Sequence, residues 1–436
     1  GILADRKNEN HMQDLINMGA NTIDMVVINL YPFKEEAINN QLPLEQAIEY
    51  IDIGGPSMLR AASKNFESII TLSDPYQYDE FIKSYMDNNG LIPREERLKY
   101  ATKVFSLTYK YDQMVAKYFN DQNETNEKDS LDFTNDSYIK DNSLRYGENP
   151  HQNSDFYVKS NSRNIINQLH GKELSYNNYF DMESAINIVY GFKEISCVII
   201  KHSNPCGFGL GNNNKEAYLR AVSTDPISYF GGIVAFNYKV DYNVAIELNK
   251  SFLECIVAPS FSDKSLELLK SKKNIRLITI EKRDLLYSSA YHLKSVFNGI
   301  LSQKKDEFMK NEKDFEIVSK RKPSKKEFNA LLLGWKLVKF VKSNAIVFNN
   351  HEQLLGVGAG QMSRIDSVKI AIRKSSENGL NLAGSMLASD AFFPFSDSII
   401  MANKAGISGV IQPGGSIKDE EVIKVIDDLN LIMIFT

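Results

Sequence analysis

Cys197-Val198-Ile199-Ile200 is a run of uncharged, mostly β-branched residues that breaks abruptly into Lys201-His202-Ser203-Asn204-Pro205-Cys206-Gly207. Such a run reads as a buried strand, and Asn-Pro followed by Gly is expected to end it. Together with the helical periodicities that flank it, this strand restricts the chain to an α/β or α+β architecture. It also delivers a lysine and a histidine side by side at a strand's carboxyl end, where α/β proteins place ligands. A lysine is a point charge and a histidine titrates near neutrality, so the pair can stabilise a developing oxyanion and move a proton in one step.

His202 and Cys206 lie close together, and Pro205-Cys206 echoes the zinc deaminases. Those need a Glu two residues after the His and a second Cys three after the first. Asn204 and Gly209 stand there instead, so no metal is expected. The 436 residues suffice for two or three domains. With 51 basic and 55 acidic residues the net charge is −4, and no basic stripe interleaved with aromatics argues for nucleic acid. Cys197, Cys206 and Cys255 make no disulfide framework, which suits a reducing cytoplasm, and no apolar run reaches membrane-spanning length. The chain opens on Gly1 and reads as starting inside a longer protein.

In chain order, residues 23–30 are expected to form a strand closed by Tyr31-Pro32-Phe33, followed by a helix carrying Leu44, Ala47, Ile48 and Ile51. Gly54-Gly55-Pro56 ahead of a helix at Met58 makes a phosphate-friendly entry, and Arg60 and Lys64 share that helix's face. Residues 68–72 read as a strand and 79–119 as mostly helical, and the polar stretch from Asp121 to Asp141 reads as a linker. Leu144-Arg145-Tyr146-Gly147 opens a polar turn whose arginine could clamp an anion, and the charge-rich residues 303–326 read as a surface connection. Gly356-Val357-Gly358-Ala359-Gly360 is a weak dinucleotide signal without an acidic ribose ligand, so no nicotinamide cofactor is expected. Thr224-Asp225-Pro226 with Phe230 is echoed by Ser389-Asp390-Ala391 with Phe395, which predicts two related halves. The aromatic loop Asp390-Ala391-Phe392-Phe393-Pro394-Phe395-Ser396-Asp397 is suited to stacking on a flat heterocycle.

Asn29-Leu30-Tyr31-Pro32-Phe33, Ile51-Asp52-Ile53-Gly54-Gly55, Leu144-Arg145-Tyr146-Gly147 with Asn149-Pro150-His151, the Lys201 to Gly207 segment, Gly358-Ala359-Gly360-Gln361 and Ser389-Asp390-Ala391-Phe392-Phe393-Pro394-Phe395 together resemble one family over essentially the whole chain. It is the bifunctional purine-biosynthesis family in which AICAR transformylase is joined to IMP cyclohydrolase. The resemblance implies an α/β chain with an incomplete, methylglyoxal-synthase-like cyclohydrolase domain over 1–125 and a linker over 126–141. Two cytidine-deaminase-like αβα transformylase subdomains without zinc would follow, over 142–322 and 323–436. It further implies that 10-formyltetrahydrofolate, as cosubstrate, gives its formyl group to the 5-amino group of AICAR, and that formyl-AICAR then loses water to give IMP, with no metal required. The implied assembly is a cytoplasmic homodimer whose transformylase sites are shared between subunits.

By the same resemblance His202 is the proton-transfer residue, Lys201 its charge-stabilising partner and Asn344 an orienting residue. Arg145, Tyr146 and Arg364 would bind the ribotide phosphate region, Asp225 and Gln361 the substrate, and Phe392, Pro394 and Asp397 would line the base and folate pocket. Tyr31, Asp52 and Lys64 match the family's cyclohydrolase positions. The family pattern begins upstream of Gly1 with a phosphate loop and runs past Thr436 in a basic tail, so weak cyclohydrolase activity is expected here. A nucleotide-binding module without turnover is the competing reading.

Overall fold

The structure, a computed structural model, describes residues 1–122, 138–159, 162, 164–287, 291–306 and 315–436. The chain divides into two compact units, Gly1–Asp136 and Ser137–Thr436. The first contains, in order, α1 (Glu9–Asn17), β1 (Met25–Val27), α2 (Leu44–Ala47), α3 (Gly54–Lys64), β2 (Ile70–Leu72), α4 (Tyr78–Asp87) and α5 (Arg94–Gln122). β1 and β2 pair in parallel, so the strand expected over 23–30 is confined to its centre. Gly54-Gly55-Pro56, expected ahead of a helix, is instead the first turn of α3. A proline fits there because first-turn positions have no intrahelical N–H bond to lose, and Asp52 accepts the Gly55 N–H at 2.7 Å.

The second unit writes one wiring diagram twice. Its first half runs β5 (Asn167–His170), α6 (Tyr176–Val189), β6 (Ile195–Lys201), β7 (Asn204–Gly211), α7 (Asn214–Thr224), β8 (Ile233–Phe236), α8 (Tyr242–Leu248), β9 (Cys255–Ala258), α9 (Asp263–Lys270) and β10 (Arg276–Thr279). The second runs β13 (Glu316–Ile317), α10 (Lys325–Val338), β14 (Ile346–Asn349), β15 (Leu354–Gly358), α11 (Arg364–Glu377), β16 (Met386–Ser389), α12 (Asp397–Lys404), β17 (Gly409–Gln412), α13 (Asp419–Asp428) and β18 (Ile432–Phe435). The six-stranded sheets have orders β5-β10-β9-β8-β6-β7 and β13-β18-β17-β16-β14-β15. Two separate hairpins, β3 (Tyr138–Ser143) with β4 (Asp155–Lys159) and β11 (Tyr291–Val296) with β12 (Gly299–Lys304), complete the unit.

Alternation along each strand explains the layering. Val198 and Ile200 of β6 face α6 and join α10, Val347 and Ala388 in one core shared by both halves. Cys197 and Ile199 face the other way, onto α7, α8 and α9, as Ile346 and Phe348 face α11, α12 and α13. Fully buried strands such as β8 and β9 accordingly carry no polar residue. The edge strands β7 and β15 meet antiparallel at Gly209 and Gln353, where the Leu210 N–H donates to the Glu352 carbonyl at 2.7 Å.

Several expectations change. The expected 126–141 linker lies outside the described residues up to 137, and its remainder belongs to β3, which pairs with β4. Of the expected surface connection over 303–326, residues 307–314 lie outside the described residues, while Glu316–Ile317 pairs with β18. Asn204-Pro205 does not end the structure begun by β6. The chain reverses at His202-Ser203 and returns as β7, with Pro205 tolerated on an edge strand beside a register shift. A Cβ on Gly207 or Gly209 would fall 2.0 or 2.4 Å from the Ala221 and Ala217 carbonyl oxygens of α7, and one on Gly358 would fall 2.0 Å from the Ser367 oxygen of α11. The alternating glycines of both halves are therefore sites of close helix approach. The Thr224-Asp225 and Ser389-Asp390 echo also pairs non-equivalent places, since Asp225 ends α7 ahead of β8 whereas Asp390 follows β16.

Candidate active site

The β6–β7 turn consists of His202 and Ser203, both left-handed at φ 53° and 59°. Two positive φ values match the twist of a two-residue hairpin, but residues with a Cβ adopt them at a cost. Three contacts hold the turn. Asp181 of α6 accepts from the Ser203 N–H at 2.6 Å and from its hydroxyl at 3.2 Å. The Asn204 amide donates to the His202 carbonyl at 2.9 Å. Lys201 Nζ donates to the Phe230 carbonyl at 2.7 Å, which leaves its other N–H groups for a ligand. His202 itself is exposed. Cys206, next to this turn in β7, has its thiol pushed up to about 12 chiefly by burial, far from a thiolate. Among the described residues no group of three or more His, Cys, Asp or Glu is arranged to hold a metal.

Asn204 Oδ1 accepts the Lys342 N–H at 2.8 Å, which ties the turn to the segment leading into β14. That segment carries Asn344, whose Nδ2 donates to the Gln361 and Met362 carbonyls at 3.0 and 3.1 Å. Its Oδ1 accepts from Arg364 at 2.8 Å. Arg364, with a side chain only 9 % exposed, also ion-pairs with Asp390 and donates to Ser389 Oγ at 2.8 Å. Asp390 in turn accepts the Ala345 N–H at 3.0 Å and the Ser343 hydroxyl. Burial would raise the Asp390 carboxyl, but Ser343, Arg364 and Ala345 outweigh it and hold the group below its ordinary 3.8. Asn344 and Arg364 thus form one preorganised cluster, with Gln361 adjoining through its backbone.

Asp225 sits where the halves meet. Lys374 of α11 donates to it at 2.9 Å and the Ser228 N–H at 2.9 Å, and these contacts with the Ser228 hydroxyl overcome burial to lower its pKa. Arg145 is exposed with its guanidinium 5.3 Å from the Tyr146 ring centre. The aromatic loop divides its work: Phe393 is fully buried and donates its N–H to Gln412 at 2.9 Å, whereas Phe392 and Phe395 stay 39 and 57 % exposed. Pro394 and Asp397 are exposed beside them, and Lys418 stands 5.1 Å from the Phe395 ring centre.

In the first unit Asp52 is buried, and its carboxylate accepts the Tyr31 and Gly55 N–H groups at 3.3 and 2.7 Å. The Asp52 N–H donates to the Tyr111 hydroxyl at 2.8 Å. Tyr31 keeps its ring 56 % exposed. Lys64 lies at the opposite end of α3, about 15 Å along the axis from the first turn at ~1.5 Å per residue, so the fold joins Tyr31 to Asp52 but not to Lys64. Asp181 and Lys374 escaped the sequence reading, because a lone acid or lysine on a helix gives no local signal.

A sequence model described as the AICARFT/IMPCHase bienzyme matches residues 62–374. The chain is 48 % identical to the bifunctional purine biosynthesis protein PurH of Caldicellulosiruptor saccharolyticus, over all of this chain and 85 % of that protein. It is 46 % identical to the PurH protein of Bacillus cereus, over all of this chain and 84 % of that one. A crystal structure of ForH matches 27 % of this chain and 61 % of its own at 38 % identity, with a TM-score of 0.24 that bears no weight on the fold.

Proposed function

Because this chain belongs to the AICARFT/IMPCHase bienzyme family, we infer that it is a bifunctional enzyme of purine biosynthesis. It transfers the formyl group of 10-formyltetrahydrofolate to the 5-amino group of AICAR and closes formyl-AICAR to IMP with loss of water. In this reading residues 1–125 are the methylglyoxal-synthase-like cyclohydrolase, and 142–322 and 323–436 are the deaminase-like transformylase subdomains.

Formyl transfer is hard because the amine's lone pair is delocalised into an imidazole bearing a carboxamide. His202 removes the amine proton as nitrogen bonds to the formyl carbon, and Lys201 faces the oxygen on which charge develops. Collapse of that intermediate breaks the bond to N10 of the folate, which leaves carrying the proton that His202 took from the amine. Asn344, clamped by Arg364 and the Gln361 carbonyl, orients the substrate or the histidine. Arg145 and Tyr146 take the ribotide phosphate, with Arg364 acting at that end through Asn344. Asp225 and Gln361 meet the substrate, and Phe392, Pro394 and Asp397 line the base and folate pocket. Tyr31, Asp52 and Lys64 serve ring closure in the first unit, with Lys64 contributing from the far end of α3.

The observation that carries this reading is the β6–β7 turn, which leaves His202 exposed beside Lys201, whose Nζ is anchored on the Phe230 carbonyl at 2.7 Å. The active form is a cytoplasmic homodimer with transformylase sites shared between subunits, which mixing a His202→Ala chain with an Asn344→Ala chain tests. Restored activity supports sharing, and dead mixtures after verified subunit exchange place each site within one chain. Incubation of the purified protein with AICAR and 10-formyltetrahydrofolate is expected to release tetrahydrofolate and to form IMP. Absence of both products refutes the assignment.

A further inference from the structure

We propose that Asp181 is a positioning residue for formyl transfer, locking the left-handed turn that presents His202. The inference rests on the reading of His202 as the proton-transfer residue. A two-residue turn with both φ values positive is normally built from Asn and Gly, which tolerate that conformation. Here the first place must be histidine if it is to move a proton, and the second is serine, so neither residue relaxes the backbone. Left alone, such a turn opens to other hairpin conformations and swings the imidazole away.

Asp181 supplies what the turn lacks. One carboxylate oxygen takes both the Ser203 N–H and the Ser203 hydroxyl, at 2.6 and 3.2 Å. Charge-assisted bonds of this kind are about twice as strong as neutral ones. The carboxylate is itself placed by α6, whose start is fixed by a capping box in which Ser175 and Asn178 satisfy each other's backbone N–H. Met182, the next residue, is anchored in the core shared by the two halves. The turn therefore inherits the rigidity of that core through a single carboxylate. Lys201 and Asn204 pin the residues on either side, to Phe230 and Lys342, and the Asn204 amide holds the His202 carbonyl, but none of these contacts reaches the Ser203 backbone.

The test measures formyl transfer from 10-formyltetrahydrofolate to AICAR by wild type, His202→Ala, Asp181→Ala, Asp181→Asn, and Asp181→Ala combined with Ser203→Gly. Asp181→Ala is expected to lower kcat by about tenfold to a hundredfold, the range for a misplaced catalytic group, with KM for AICAR little changed. The double variant is expected to recover much of that loss, because glycine adopts the turn without help. Asp181→Asn, which keeps an acceptor oxygen without the charge, is expected to retain most activity and the wild-type pH profile of kcat/KM. A shifted profile in Asp181→Asn would overturn positioning in favour of an electrostatic role. Wild-type kcat in Asp181→Ala, or a well-folded double variant with no recovery, overturns the inference. Should Asp181→Ala fail to fold, full loss of activity in folded Asp181→Asn overturns it and retention supports it. A His202→Ala enzyme that keeps its turnover removes the underlying reading and this inference together, whereas a dead His202→Ala beside a fully active Asp181→Ala removes the inference alone.

Discussion

The two halves of the second unit share one wiring diagram, yet they hold different chemistry at matching places. The β6–β7 connection is the tight His202-Ser203 turn with both residues left-handed. Its counterpart between β14 and β15 is looser: Asn350 Oδ1 takes the Glu352 and Gln353 N–H groups at 2.8 Å each, and no residue from 350 to 353 has a positive φ. At the strand entrances the contrast reverses. After β8, the neutral Asn237 takes the Ser196 N–H at 2.8 Å; after β16, the charged Asp390 takes the Ala345 N–H at 3.0 Å and pairs with Arg364. At each of these two places both halves keep the connection, and only one half adds a reactive or charged group. Strain and charge have been concentrated at complementary corners, as expected where function rather than stability selects the residue.

The largest expected effect tests that division directly. His202→Ala should lower formyl transfer by about a hundredfold or more. His351→Ala, at the matching hairpin, should leave the rate essentially unchanged. Equal losses in the two variants, measured as formyl-AICAR formed per enzyme, would break the comparison.

Next in size is the corner cluster. Removing one member of a nearly buried ion pair strands the other, so Arg364→Leu should cost roughly 3 kcal/mol. Asn214→Ala, at the matching first residue of α7, loses only a neutral bond to the Lys239 carbonyl and should cost about 1 kcal/mol. Urea unfolding followed by the fluorescence of the sole tryptophan, Trp335 in α10, reads the second unit. A similar cost for both variants would deny the second half its special corner.

Gly209→Ala and Gly358→Ala, at matching places in β7 and β15, sharpen the likeness instead. The added methyls would fall 2.4 and 2.0 Å from a helix carbonyl oxygen, so each should cost about 1–3 kcal/mol, and the two should agree. A large cost in one half only, by the same urea titration, would show that the halves pack their edge helices differently.

The smallest effect is acid sensitivity. The folded Asp390 carboxyl is held below 3.8, so its contribution is present above that pH and is lost as pH falls through the lowered value. Unfolding free energy of the wild type should therefore drop more steeply below about pH 4 than that of Asp390→Asn. Parallel curves would mean that Asp390 titrates alike in folded and unfolded chains.

The same contrast explains what the sequence made legible. Buried strands with no polar face were plain in Cys197-Val198-Ile199-Ile200, and the family resemblance rested on contiguous motifs that survive in any fold description. The halves were inferred correctly from the wrong residues. The true counterpart of Asp390 is Asn237 and that of Asp225 is Asn378, whose side chain reaches the Thr224 carbonyl at 2.8 Å, and unlike residue types hide such equivalences. β7 was hidden by Asn204-Pro205, a stop signal everywhere except at a sheet edge, although Gly207, Gly209 and Gly211 recur at the two-residue period of a strand. Cross-fold contacts such as Asp181 to Ser203 leave no mark in local pattern at all.

The meeting of β7 with β15 has a consequence during synthesis. The outer edge of β7 and the inward face of α6 leave the ribosome long before β15 and α10 exist to cover them. About 150 residues separate the end of β7 from the end of β15, a delay of about seven to thirty seconds at ~5–20 residues per second. Throughout that interval the nascent chain offers an unpaired sheet edge and an open apolar surface, a ready substrate for chaperones and for its own neighbours on a polysome.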